Sequence, residues 1–242
     1  MDHFLSTDER QTFTYCKPLL VTPNASPVEL NRFDVKNWTG TPPTLETLLI
    51  EQLSTVGGRV DAILVLDQVP VPGTGVVTEK MIEAITRIGE ASPNLLILAD
   101  SRGGPSRFRN VSLKMNSLEL AALMGTRHEL DLAQIKGAAA VLARERERQV
   151  FVTCAERGII GARPDGEIEH IPALPVRGEI DIVGAGDAVT ANLASALTAG
   201  ASLREALEIA NRAASVVIHK LGTTGAATVA EIEGVLPPGD GF

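Results

Sequence analysis

The chain has 242 residues, 44% of them apolar and 21% charged, which are globular proportions and exclude a disordered or fibrous protein. Its formal charge is −8, from 22 basic and 30 acidic residues, and only 3% of residues are aromatic. That balance argues against nucleic-acid binding, which needs a basic stripe and stacking platforms. Residues 1–60 read as an irregular, extended N-terminal segment of the same domain, marked by Pro18, Pro23, Pro27, Pro42 and Pro43. Within it, Thr12 to Val21 reads as extended and Leu45 to Leu53 as a short helix. From there to residue 242 the pattern is regular. Ala62 to Leu66, Leu95 to Ala99, Val111 to Met115 and Val150 to Thr153 are short, nearly continuous apolar runs, the pattern of buried strands. Met81, Ile82, Ile85 and Ile88 recur at helical spacing, as do Leu132, Ile135, Ala139 and Leu142. Ile159-Ile160 and Ile168 to Ile171 flank the turn Pro164-Asp165-Gly166 and predict an antiparallel pair. Val189, Leu193, Ala196 and Leu197 define a helix that Gly200 stops. Ser202 to Glu205 is a capping box that opens a last helix, with Leu203, Ala206, Leu207, Ala210, Ala214, Val217 and Leu221 inward. The fold class is therefore α/β, a mostly parallel sheet sandwiched by helices.

Ligands of such sheets bind beyond the carboxyl ends of the strands. The most informative segment is Asp181-Ile-Val-Gly184-Ala185-Gly186-Asp187, directly ahead of an apolar-periodic helix. Small residues there let the backbone turn tightly, and free N–H groups at a helix start attract anionic oxygen. An acid at that position can accept a hydroxyl proton. The residues alone leave two readings open: an ordinary Gly-rich turn capped by Asp187, or a phosphoryl-transfer site.

The same segment resembles the second signature of the ribokinase-like (PfkB) sugar kinases. Lys114-Met-Asn116-Ser-Leu-Glu119 resembles that family's Asn-x-x-Glu motif, although it is also a plain capping arrangement. Thr153-Cys-Ala155-Glu-Arg-Gly158 resembles its nucleotide loop, and Ile209 to Ala214 resembles the helix flanking the adenine. Val217 to Gly225, together with Asp181 and Val183, resembles a monovalent-cation loop. Asp67 and Asp100-Ser-Arg102 fall where the family has acids after two consecutive strands. Within the family, the kinase domain of the ADP-heptose synthesis enzymes is most similar, through a segment like Gln11 to Asp34.

The resemblance implies ATP and Mg²⁺ as cofactors, with K⁺ as the candidate monovalent cation. It implies Asp187 as base and Gly184, Ala185 and Gly186 as donors to the moving phosphoryl group. Asn116 and Glu119 would organise Mg²⁺ through water, Thr153 and Gly158 would line the nucleotide phosphates, and Asn211 would lie near the adenine. Asp181, Val183, Val217 and Gly222 would surround the monovalent cation. The partner would be a small sugar or sugar phosphate.

Three departures stand out. The family's N-terminal third, with its first glycine signature and much of the sugar site, has no counterpart. Ala155 replaces a loop glycine, and Val183 replaces the usual Thr. They support an alternative: a degenerate or fragmentary nucleotide-binding or interaction protein of the same fold. A truncated sheet also predicts a homo-oligomer or a complementing N-terminal chain. A third reading, a dinucleotide site at Gly73-Thr-Gly75, is weak because Thr78 stands where the third glycine belongs. Two cysteines, Cys16 and Cys154, form no disulfide framework and no zinc site. With no signal peptide and no apolar run long enough for a bilayer, the expectation is a cytoplasmic protein without membrane or nucleic-acid partners.

Overall fold

A computed structural model describes residues 3–235 apart from 24 and 26, so the Pro/Gly tail from Pro237 lies outside the described residues. The chain opens with two small antiparallel ribbons. β1 (Thr14–Cys16) pairs with β4 (Phe33–Val35), and β2 (Leu19–Leu20) pairs with β3 (Val28–Glu29). Next comes α1 (Pro43–Gly57), and then the strands and helices of the core: β5 (Ala62–Asp67), α2 (Glu79–Ala91), β6 (Leu96–Ser101), β7 (Ser112–Asn116), α3 (Ser117–Leu123), α4 (Leu132–Arg146), β8 (Val150–Thr153), β9 (Ile159–Ala162), β10 (Ile168–Ile171), α5 (Ala185–Thr198), α6 (Leu203–Ile218) and α7 (Val229–Gly234).

The main sheet has six strands in the order β10-β9-β8-β7-β6-β5. β5 to β8 are parallel, and β9 runs against both of its neighbours. One face is packed by α2 and α4, through Met81, Ile85, Ile135, Ala139 and Leu142 against Leu113, Val150 and Val152. The other is packed by α5 and α6, through Val189, Leu193, Leu203 and Leu207 against Leu98 and Phe151. Fully buried leucines such as Leu193 and Leu207 each contribute about 1.5–3 kcal/mol by leaving water. This is the α/β architecture, a mostly parallel sheet sandwiched by helices, that the strand and helix pattern predicts.

The first 60 residues are more regular than expected. Pro43 starts α1 earlier than the apolar pattern suggests, because proline is tolerated at the first helical position, and the helix runs on to Gly57. Buried Glu46 ties α1 to α2: the Lys80 ammonium donates to it at 2.9 Å. The hydrogen bonds of Thr78 and Lys80 hold its carboxyl below the usual carboxylate range. On α6, Ala213 rather than Ala214 is fully buried, and Leu221 lies past the helix end and is half exposed. The pattern missed α7, although Thr228 to Glu231 forms a capping box there.

Candidate functional site

The parallel strands end on one edge, which carries Asp67 on β5, Asp100 on β6, Asn116 on β7 and Thr153 on β8. Asp67 is buried and accepts from Ser101 Oγ at 2.6 Å and from the Arg107 guanidinium at 3.2 Å. Arg107 also pairs with Glu79 at 2.7 Å. Asp100 Oδ2 receives the Lys114 ammonium at 2.8 Å, and the two side chains are only 11% and 7% exposed. Each charge would be costly to bury alone, so the pair exists as a unit. A Cβ built on Gly186 would lie 3.1 Å from Lys114 Nζ, which puts this ammonium against the start of α5. Sequence reasoning quoted Lys114 within a motif and gave it no role. The available signal was a lysine inside an apolar strand, a place where lysine is almost never found unpaired.

The start of α5 is built differently from most other helices here. α2, α3, α4, α6 and α7 each begin with a side chain that accepts a backbone N–H. α5 begins at Gly184, which adopts φ 84° and supplies no side-chain cap. Ala185 N–H turns back to Ile182 O at 3.2 Å, and Ala188 N–H makes the first helical bond to Gly184 O at 2.9 Å. Between them, the N–H groups of Gly186 and Asp187 have no protein partner among the described residues. Asp187 does not cap: its carboxylate is exposed and likewise unpartnered among the described residues. The arrangement offers two donors and the positive end of a helix dipole to an anion, with a carboxylate beside it.

Asn116 and Glu119 form the capping box of α3, with Glu119 N–H to Asn116 Oδ1 at 2.9 Å and Asn116 N–H to Glu119 Oε2 at 2.7 Å. Among the described residues Glu119 Oε1 has no partner at the strand edge, and a carboxylate oxygen is the kind of acceptor to which the waters of a hydrated Mg²⁺ donate. No group of three or more His, Cys, Asp or Glu among the described residues is arranged to grip a metal directly.

The expected nucleotide loop follows β8. Thr153 Oγ1 donates to Met115 O at 3.4 Å, and Cys154 N–H donates to Gly158 O at 2.7 Å. Ala155 takes φ 49°, the left-handed region that a glycine occupies freely. The methyl there costs roughly 1–2 kcal/mol. Gly158 is held tighter still: at φ 92°, an added Cβ would sit 2.0 Å from Ile171 O and 2.6 Å from Ala173 N. Asn211 on α6 donates to Pro172 O at 2.8 Å, so Gly158 and Asn211 meet on the same peptide. Opposite effects are expected in thermal unfolding. Ala155→Gly raises the stability by about 1 kcal/mol, whereas Gly158→Ala lowers it by at least about 1–3 kcal/mol.

Burial pushes the thiol of neighbouring Cys154 up to about 11. Cys16, in contrast, is only half-buried. At pH 8 a soluble disulfide reagent is expected to label Cys16 alone, with Cys154 reacting only after denaturation.

Asp181 N–H donates to Ile218 O at 2.8 Å, and Asp181 Oδ1 accepts Val183 N–H at 3.1 Å. A Cβ on Gly184 would touch Val217 and Thr224, so the Asp181 loop and the segment after α6 are neighbours. Val217 itself does not begin that loop as expected. It lies in α6, fully buried, and its carbonyl accepts Lys220 N–H at 3.0 Å. Gly222, at φ 70°, does lie in it. The first ribbon reaches this region too, since Lys17 lies 3.7 Å from Asp181. Tyr15 OH donates to Gln68 O at 3.1 Å, and the Tyr15 ring has Lys36 and Arg102 at 5.8 and 6.0 Å. Gly73, the centre of the dinucleotide reading, is an ordinary connection whose carbonyl accepts Thr41 N–H at 2.9 Å.

Among the described residues no helix is long and apolar enough to cross a membrane. The bifunctional protein HldE of Bradyrhizobium diazoefficiens is 32% identical over 196 residues, which is 80% of this chain and 38% of that protein. The HldE of Gluconacetobacter diazotrophicus is 28% identical over 232 residues, 96% of this chain and 46% of its own length. The chain thus spans less than half the length of these curated relatives. Phosphofructokinase-2 from Escherichia coli in complex with potassium superposes with a TM-score of 0.66 at 18% identity, covering 84% of this chain and 65% of that one. Arabidopsis thaliana ribokinase complexed with ribose and ATP gives 0.60 at 20% identity, covering 85% and 63%. Residues 74–229 match the family described as pfkB family carbohydrate kinase, and the chain belongs to that family.

Proposed function

We propose that this chain carries the phosphoryl-transfer machinery of an ATP-dependent carbohydrate kinase acting on a hydroxyl of a sugar or sugar phosphate. The HldE relatives make a heptose phosphate the first substrate to try. The observation that supports the reading is the uncapped start of α5, with two N–H groups that have no partner among the described residues, an exposed Asp187 carboxylate and the buried Lys114 ammonium behind it.

In this reading Asp187 accepts the proton of the attacking hydroxyl. The sugar oxygen bonds to the γ-phosphorus as the bond to the ADP oxygen breaks. Of the expected donors Gly184, Ala185 and Gly186, Ala185 N–H is already bound to Ile182 O, so the N–H groups of Gly186 and Asp187 hold the phosphoryl oxygens through the transfer. The transition state is loose, so positioning and charge neutralisation outweigh proton removal. Bound Mg²⁺ would supply charge neutralisation, organised through water by Asn116 and Glu119. Thr153 and Gly158 would line the nucleotide phosphates, and Asn211 would stand near the base. A monovalent cation such as K⁺ would sit near Asp181, Val183 and Gly222. The setting is the cytoplasm, where both thiols stay reduced.

A second reading keeps nucleotide binding without turnover. The left-handed Ala155 in the nucleotide loop favours it. Calorimetric titration with Mg-ATP tests the site. Binding is expected in the parent chain and is expected to be lost in Gly186→Val, whose side chain would meet Lys114. No binding at millimolar nucleotide would leave the kinase relation as ancestry alone.

A further inference from the structure

We infer that Arg157 is a positioning residue for the nucleotide loop: its guanidinium fastens the loop to the connection between α3 and α4 and holds Ala155 in the left-handed backbone that its methyl group disfavours. The inference rests on the reading of residues 153–158 as that loop.

Ala155 stands at φ 49°, and both it and Glu156 are exposed. Core packing therefore does not hold the strained residue, and such a conformation persists only where its surroundings over-determine it. The turn closes through its own backbone: Arg157 N–H donates to Cys154 O at 3.0 Å, and Gly158 N–H donates to Ala155 O at 3.0 Å. The anchors to other elements converge on Arg157. Its carbonyl accepts from His170 Nε2 on β10 at 2.7 Å. Its Nη1 donates to Leu130 O at 2.9 Å, and its Nη2 lies 3.0 Å from Glu129 Oε1. With the backbone and the side chain of Arg157 both held, the peptide from Cys154 has a fixed span to cross, and left-handed Ala155 is the conformation that crosses it.

The guanidinium is no loose surface pair, of the kind that contributes little. The Arg157 side chain is 24% exposed, and its Nε is buried. Glu129 is 70% exposed, so the bond to Leu130 O, from a charged donor to a carbonyl, is the stronger arm. The anchor also joins two halves of the proposed site. The connection it grips follows α3, whose start carries Asn116 and Glu119. The loop it grips packs through Gly158 on Ile171 and Pro172, and Pro172 O accepts the Asn211 amide. A loop released from this anchor shifts the groups that would meet the nucleotide.

Amide exchange reads the loop without nucleotide. Arg157→Met keeps an unbranched apolar stem and removes the guanidinium. It is expected to speed exchange of the Cys154 and Gly158 amides by at least about tenfold, while β6 and β7 keep their protection. In the Ala155→Gly background the left-handed backbone is unstrained, and the same substitution is expected to speed those amides by no more than about threefold. Mg-ATP titration is the second readout. Arg157→Met is expected to weaken binding by at least about tenfold, and adding Ala155→Gly is expected to restore it to within about threefold of the parent. Arg157→Lys, which keeps a cation for Leu130 O, is expected to lose less than Arg157→Met in both readouts. The inference is overturned if Arg157→Met leaves the two amides at the parent's rate, or if its effect is as large in the Ala155→Gly background, the result of a structural role alone. A parent that binds Mg-ATP while Arg157→Met binds it as tightly also overturns this inference, and this inference alone. A parent that binds none overturns the nucleotide reading itself.

Discussion

Asp187→Asn is expected to lower phosphoryl transfer by about 10²–10⁴-fold, the usual contribution of a positioned general base. The substitution is nearly isosteric and falls on an exposed side chain with no protein partner among the described residues, so melting temperature should hold. The N–H groups of Gly186 and Asp187 belong to the backbone and survive it, so Mg-ATP affinity should hold as well. A fall in turnover with unchanged nucleotide binding therefore isolates proton transfer. Turnover within a few-fold of the parent would remove Asp187 from the chemistry and return it to the plain helix-start role.

Breaking the Asp100–Lys114 pair is expected to have the largest effect on stability. Asp100→Ala leaves an ammonium buried without its partner, which costs about 3–5 kcal/mol. For a chain of this size that corresponds to a fall in Tm of roughly 6–20 °C. The double variant Asp100→Leu with Lys114→Met removes both charges and is expected to recover most of that loss, since an apolar pair of similar volume is often as stable. The double variant also separates two roles. If the ammonium against Gly186 serves the anion site, nucleotide affinity stays low after stability returns. If affinity returns with stability, the pair is architectural only.

Much of the fold was legible because its strands are short apolar runs and its helices carry amphipathic spacing and capping boxes. The Ser202 to Glu205 box marked the start of α6 to the residue. The extended reading of Thr12 to Val21 covers β1 and β2, but their pairing into ribbons was not legible, because two- and three-residue strands such as Leu19–Leu20 are too short to show a period. The segment Gly184 to Asp187 could be singled out, since glycine before an apolar helix has a local physical meaning. The contact of Lys114 with Asp100 and Gly186 could not, because it joins two strands and a distant helix that only the folded sheet brings together. Ala155 was legible as a departure, and its φ of 49° shows that it stands in the left-handed region despite its methyl group.

The order of these elements also sets a timetable. The sheet face packed by α5 and α6 holds Leu98 and Phe151, yet both helices follow every strand they cover. A ribosome that has finished β8 still has about 65 residues to make before α6 is complete, on the order of 3–13 s at ordinary synthesis rates. During that interval a nearly complete apolar sheet face is bare in the nascent chain. Folding of this face is thus delayed until α6 has been made, and a chain stopped before α6 presents a surface suited to chaperones or to aggregation.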